Sequence, residues 1–151
     1  MVQIKKPPVY FHFLVTPFFF PNRKALQRFI YGALKRAGRE VETINYIFCD
    51  DAYLIELNKT YLNHNTYTDI ISFELSPKGA PLVSDIFISV ERVKENAQTF
   101  QTSFIKELHR VVFHGALHLA GLKDKKPKEI KEMRKREKEL LDMWFHGTQF
   151  L

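Results

Sequence analysis

A single cysteine, Cys49, occurs in the 151 residues, so an intramolecular disulfide is impossible and a cross-linked scaffold is excluded. No apolar run reaches the roughly 18 residues of a membrane-spanning helix. There is also no internal repeat, Gly/Ser-rich linker or low-complexity tract. These absences leave a chain long enough to bury one core without staples, expected to be a single domain over residues 1–151. The lone thiol lies in an apolar, strand-like run from Ile44 to Cys49, where it reads as a small buried hydrophobe rather than a nucleophile. A reducing, cytoplasmic setting suits it.

A secretory leader is not expected either. Lys5 and Lys6 precede an apolar run from Val9 to Phe20, but Pro7, Pro8, His12 and Pro17 interrupt it and no small-residue cleavage site follows. Asn22-Arg23-Lys24 leads directly into a helical pattern. The net charge of +6 and pI near 9.4 favour polyanionic partners. Nine basic and five acidic residues lie between Lys123 and Glu139, so much of the surplus is concentrated there. Taken alone, that segment reads as a solvated helix face with i,i+4 pairs such as Glu132 with Arg136.

Periodicity divides the chain into alternating elements. Val9 to Thr16 reads as a strand stopped by Pro17, and Ala25, Leu26, Phe29, Ile30, Ala33, Leu34 and Ala37 form a helical stripe ended by Gly38. Thr43 to Cys49 is a second strand. Asp50 or Asp51 caps the next helix, which carries Leu54, Leu57 and Tyr61. After a polar loop, Ile70 to Leu75 and Leu82 to Val90 are expected as an antiparallel pair of central strands, because both are apolar on nearly both faces. A short helix over Glu91 to Thr99 follows. The next begins near Thr102 or Ser103 and is apolar around much of its circumference, so it should be buried. The last has Pro127 in its first turn and Ile130, Met133, Leu140, Leu141 and Trp144 along one side.

Chemistry is written in the buried helix, in His114-Gly-Ala-Leu-His118-Leu-Ala-Gly121-Leu-Lys-Asp124. Side chains at i and i+4 share a helical face, so both imidazoles can address one ion. Gly121 can end the helix in the left-handed region and turn the chain back. Asp124 follows His118 by six residues. The same interval separates the second and third ligands in the zinc-protease pattern HExxHxxGxxH. A protease would place its general-base glutamate after the first histidine, and Gly115 stands there. Peptide hydrolysis is thereby disfavoured, while activation of water by a metal survives.

On this helix and three earlier segments the chain resembles the YbeY family of bacterial endoribonucleases. The segments are Leu57-Asn58-Lys59-Thr60-Tyr61, Thr68-Asp69-Ile-Ile-Ser72-Phe73, Ser84-Asp85-Ile-Phe-Ile-Ser89 and Arg110-Val-Val-Phe-His114-Gly-Ala-Leu-His118-Leu-Ala-Gly121. The resemblance implies an α/β (α+β) fold: a small mixed four-stranded sheet flanked by helices, with the zinc site at the C-terminal end of the buried helix. It also implies cleavage of single-stranded RNA in late 3′-end processing of the small-subunit (16S) ribosomal RNA, with no preference for DNA. Carried over by position, His114 and His118 are zinc ligands, and the family's third histidine falls on Asp124. The family's aspartate falls on Lys123, and the arginine common after the Asn-x-x-Tyr segment falls on Leu62. Tyr67 and Ser84 replace a usual proline and glycine. Cationic contacts to RNA must then come from Lys59, Lys123 or Lys125. No side chain is an evident general base: His64 and His109 are titratable candidates, His109 reading as a surface or capped residue, and Asp69 and Asp85 as loop caps or holders of a histidine ring. A zinc-stabilised RNA-binding or ribosome-assembly factor with little catalysis is the alternative.

Overall fold

Ile44, Tyr46 and Phe48 are completely buried, whereas the residues between them are partly open, and this alternation defines a strand with one face in the core. The computed structural model describes residues 6–61 and 68–147. In chain order they form β1 (Val9–Phe13), α1 (Arg23–Arg36), β2 (Val41–Cys49), α2 (Asp51–Tyr61), β3 (Ile70–Glu74), β4 (Leu82–Ser89), α3 (Val90–Thr99), α4 (Phe104–Leu119) and α5 (Pro127–His146). The sheet order is β1-β2-β4-β3, the first two pairings parallel and the last antiparallel. This is the small mixed α/β architecture expected.

Two expectations about strands are corrected. β3 is an edge strand, not a central one. It looked central because helices cover both of its faces: Ile70 lies beneath α4, while Ile71 and Phe73 join Leu54 and Leu57 of α2. An apolar pattern on two faces reports layers above and below a strand, not neighbours in the sheet. β1 is also shorter than its apolar run. Its ladder ends near Leu14, whose N–H donates to the Phe48 carbonyl at 2.8 Å, before the chain turns at Pro17.

One sheet face, including Val9, Ile44, Tyr46, Ile86 and Ile88, packs with α1 and α4 into the principal core. The Tyr46 hydroxyl, buried in that core, donates to the Val112 carbonyl of α4 at 2.9 Å, so burying it leaves no unmet donor on Tyr46. α2 covers part of the other face, and Asp50 caps it by accepting from the Tyr53 N–H at 2.8 Å. Cys49 lies beneath α2, and burial, followed by the nearby Asp50 and Asp51 charges, pushes its thiol up to about 12. A thiol so rarely ionised is not a nucleophile.

Gly115 fixes how closely α4 approaches the sheet. A Cβ there would come within 3.0 Å of Ile70 Cδ1 and 3.2 Å of Ile86 Cγ2. The residue that argued against a protease therefore has a second role, allowing the motif helix to lie directly on β3 and β4. Gly115→Val should destabilise the fold by about 2 kcal/mol through overpacking, read as a lower urea midpoint with unchanged slope. An unchanged midpoint would show that the contact is not tight.

Candidate metal centre

The motif helix is started and stopped by local chemistry. The Ser103 hydroxyl caps α4 by accepting from the Lys106 N–H at 3.1 Å. At the other end Gly121 adopts φ 109°. The Gly121 N–H donates to the His118 carbonyl and the Leu122 N–H to the Leu117 carbonyl, each at 3.0 Å. These two bonds close a Schellman turn, which needs a residue in the left-handed region. The turn then orients a ligand. The Leu122 carbonyl accepts from His118 Nδ1 at 2.9 Å, which assigns the proton to Nδ1 and leaves the Nε2 lone pair facing outward.

His114 is held from another helix. Its Nδ1 donates to Glu137 Oε2 of α5 at 2.6 Å, so Nε2 is again the free acceptor. The two Nε2 atoms lie 3.0 Å apart, and Asp124 Oδ2 is 3.3 Å from that of His114 and 3.2 Å from that of His118. Two imidazole lone pairs and a carboxylate oxygen repel one another at this range unless a proton or a metal ion lies between them. Ligands about 2.0 Å from a tetrahedral ion stand about 3.3 Å from each other, which the triangle matches. The sequence-derived trio therefore converges, and it is a group that can hold a metal ion. His114 is mostly buried, whereas His118 and Asp124 are about one-third exposed. They border a cleft of about 770 Å³ between α4, β3 and the start of α5, which is open to solvent.

Behind His114 runs a chain of buried charge that the sequence reading missed. Glu137 and Glu107 are almost fully buried. Arg110 joins them: Nε and Nη2 grip Glu107 at 2.9 and 2.7 Å, and Nη1 donates to Glu137 at 3.1 Å. Arg134 adds a 2.9 Å bond to the same Glu137 oxygen. Burial alone would raise the Glu137 pKa, but the His114 hydrogen bond and the Arg110 charge outweigh it and hold the carboxylate below its ordinary range. The available signal was Glu137, which lies at i,i+3 from Arg134 but in a charge run that looked merely solvated. In that run Arg136 pairs with Glu139, not Glu132.

The remaining candidates divide. Lys125 borders the cleft, as do Asn58 of α2 and Ser72 of β3. Lys123 lies in a separate shallow depression with Lys128 and Glu132, and Lys59 pairs with Glu56 on α2 at 3.7 Å. Among the described residues Asp69 holds no histidine ring. Its Oδ2 instead lies 3.6 Å from Arg110 and accepts from Asn96 at 3.3 Å. Asp85 accepts from Asn45. The ring-holding carboxylate is Glu137. His109 is not a surface residue. It is buried among Phe20, Phe113 and Trp144, its Nδ1 bonded to the Ile105 carbonyl, and burial lowers its pKa against that bond. It therefore has no part in the cleft. Leu62, His64 and Tyr67 lie outside the described residues.

Fold and site together define an α/β protein with a two-histidine, one-carboxylate centre mounted on a buried helix. The chain belongs to the endoribonuclease YbeY family, whose sequence model matches residues 21–144. It is 45% identical over 134 residues to the endoribonuclease YbeY of Flavobacterium johnsoniae, an alignment covering 89% of this chain and 95% of the relative. With that of Flavobacterium psychrophilum it shares 53% over 106 residues, covering 70% and 74%. Among solved structures, the solution structure of TM1509 from Thermotoga maritima superimposes with a TM-score of 0.60 at 27% identity, covering 89% of this chain and 87% of that one.

If the trio holds zinc, Glu137→Gln should weaken its affinity by about tenfold to a hundredfold in a chelator competition, because His114 loses the carboxylate that orients it. It should also cost about 3 kcal/mol of stability by leaving Arg110 without its full complement of charge. Unaltered zinc affinity would refute the positioning role. Because the folded pKa of Glu137 is depressed, its contribution to stability is complete above its unfolded pKa and is lost as pH falls through the lower folded value.

Proposed function

We propose that this protein is a zinc-dependent, single-strand-specific endoribonuclease that acts in the cytoplasm on the 3′ end of 16S ribosomal RNA during maturation of the small ribosomal subunit, and that the whole chain, 1–151, is one such domain. The observation that carries the reading is the triangle of His114, His118 and Asp124 ligand atoms, 3.0 to 3.3 Å apart, on a solvent-open cleft in a chain of this family. Its relatives are named endoribonucleases, so RNA is the proposed substrate, and the chain's surplus of positive charge fits a polyanion better than a peptide.

His114, His118 and Asp124 would hold the zinc, whose chemistry is to activate water and to polarise a phosphoryl oxygen. The protein's own contribution is geometric and electrostatic. Glu137 and the Leu122 carbonyl hold both imidazoles through Nδ1, so each Nε2 already faces the position a metal would take. Lys125 at the cleft edge, with Lys59 and Lys123 farther out, supplies positive charge for the flanking phosphates, and Gly115 leaves no side chain to act as a protease base. All three ligand residues line the cleft. A single strand enters it without first separating from a partner.

Asp124 adds a negative charge where the resemblance places a neutral imidazole, leaving the ion a weaker Lewis acid. His118→Ala should lose stoichiometric zinc by elemental analysis and reduce cleavage of single-stranded RNA to background. Asp124→His should retain zinc and shift the ascending limb of the pH–rate profile to lower pH. RNA left intact by zinc-loaded wild type, although bound, would make the protein an assembly factor instead of a nuclease.

A further inference from the structure

The cleft continues past its metal-binding end. Arg110 and Arg134 separate it from a second depression of about 410 Å³, which is bordered by Phe100, Lys106 and Leu141. Phe100 lies just past the end of α3 and is 58% exposed, a large ring left open to solvent. Lys106 lies in the first turn of α4 and is exposed.

The two arginines on the divide are not equivalent. Arg110 is mostly buried and meets Glu107, Glu137 and Asp69, so its charge is fully answered. Arg134 has 57% of its side chain exposed and spends one nitrogen on Glu137, whose single charge is already shared with Arg110 and His114. The other carboxylates facing these depressions are engaged as well: Glu107 and Asp69 with Arg110, Glu74 near Arg39, and Asp124 with the two histidines. Arg134 therefore has one arm pinned and a net positive charge to offer. A planar guanidinium held this way matches a phosphodiester better than a flexible lysine does.

We propose that Phe100, Lys106 and Arg134 form a subsite for one unpaired nucleotide next to the metal cleft: the base stacks on Phe100, and the phosphate joining it to the nucleotide at the metal lies on Arg134, with Lys106 beyond. The subsite rests on the ribonuclease reading above. Its chemistry is that of single-strand binding surfaces, in which an exposed aromatic ring receives a base and cations follow the backbone. It also selects against duplex, because a paired base has no free face to offer Phe100.

The test measures binding of a fluorescent, unstructured 12-nucleotide RNA to full-length protein in chelator, where the RNA stays uncut. Phe100→Leu should weaken binding about tenfold, and Phe100→Trp should preserve it. Arg134→Gln should lower the slope of log affinity against log salt by about 0.7, the value for one phosphate on a single strand. Zinc affinity of Phe100→Leu should match wild type, which separates the subsite from the metal centre. Wild-type affinity in both Phe100→Leu and Arg134→Gln, with wild type binding and cutting RNA, would overturn the subsite alone. Failure of zinc-loaded wild type to bind or cut the RNA at all would overturn the ribonuclease reading together with it.

Discussion

One carboxylate holds this site together. Glu137 is nearly inaccessible to solvent, yet it receives the His114 imidazole on one oxygen and both Arg110 and Arg134 on the other. An isolated carboxylate at such a depth would protonate. Three donors keep it charged, and in return it ties α5 to the face of α4 that carries Arg110 and His114. A buried ionic group of this kind is weak evidence for stability, since apolar residues of the same volume often serve as well. Its value here is positional: the charge fixes which nitrogen of His114 carries the proton, and so which one faces the cleft.

The site is consequently built from two unlike supports. His118 is oriented by backbone, through a carbonyl in the turn made by Gly121, whereas His114 is oriented by a side chain from a helix that begins after the motif ends. The first support is local and present as soon as α4 terminates. The second exists only after α5 docks. Metal binding at the trio would therefore be coupled to the docking of α5, each favouring the arrangement the other needs.

That division also explains what could be read before the fold was known. His114, His118 and Asp124 were legible because helical geometry alone brings i and i+4 together and a glycine turn returns the chain after a fixed interval. Strand and helix identities followed from period, although β3 was misplaced as central because two covering helices imitate two neighbouring strands. Glu137 was not legible. It stands 23 residues from His114, among alternating lysines and glutamates that ordinarily face water, and only packing makes one of them a buried anchor. His109 was misread for the converse reason: a polar letter on an apolar helix gave no sign of the aromatic box that Phe20, Phe113 and Trp144 close around it.

Charge balance joins these pieces to substrate binding. Three acidic and three basic side chains border the cleft, so it is formally neutral before any ion enters. A divalent cation on His114, His118 and Asp124 would make it positive, and an entering phosphodiester would offset half of that gain. With a histidine in place of Asp124, the same cleft would be one unit more positive and would retain a polyanionic product more strongly. In the proposed reading Asp124 would trade Lewis acidity for release, and the cations that remain useful are those not already matched. Arg110, enclosed by carboxylates, is structural, while Lys125 and the exposed arm of Arg134 can respond to RNA. The same buried Glu137 that orients His114 also holds Arg134, so in the proposed reading metal binding and phosphate contact would share one anchor on α5.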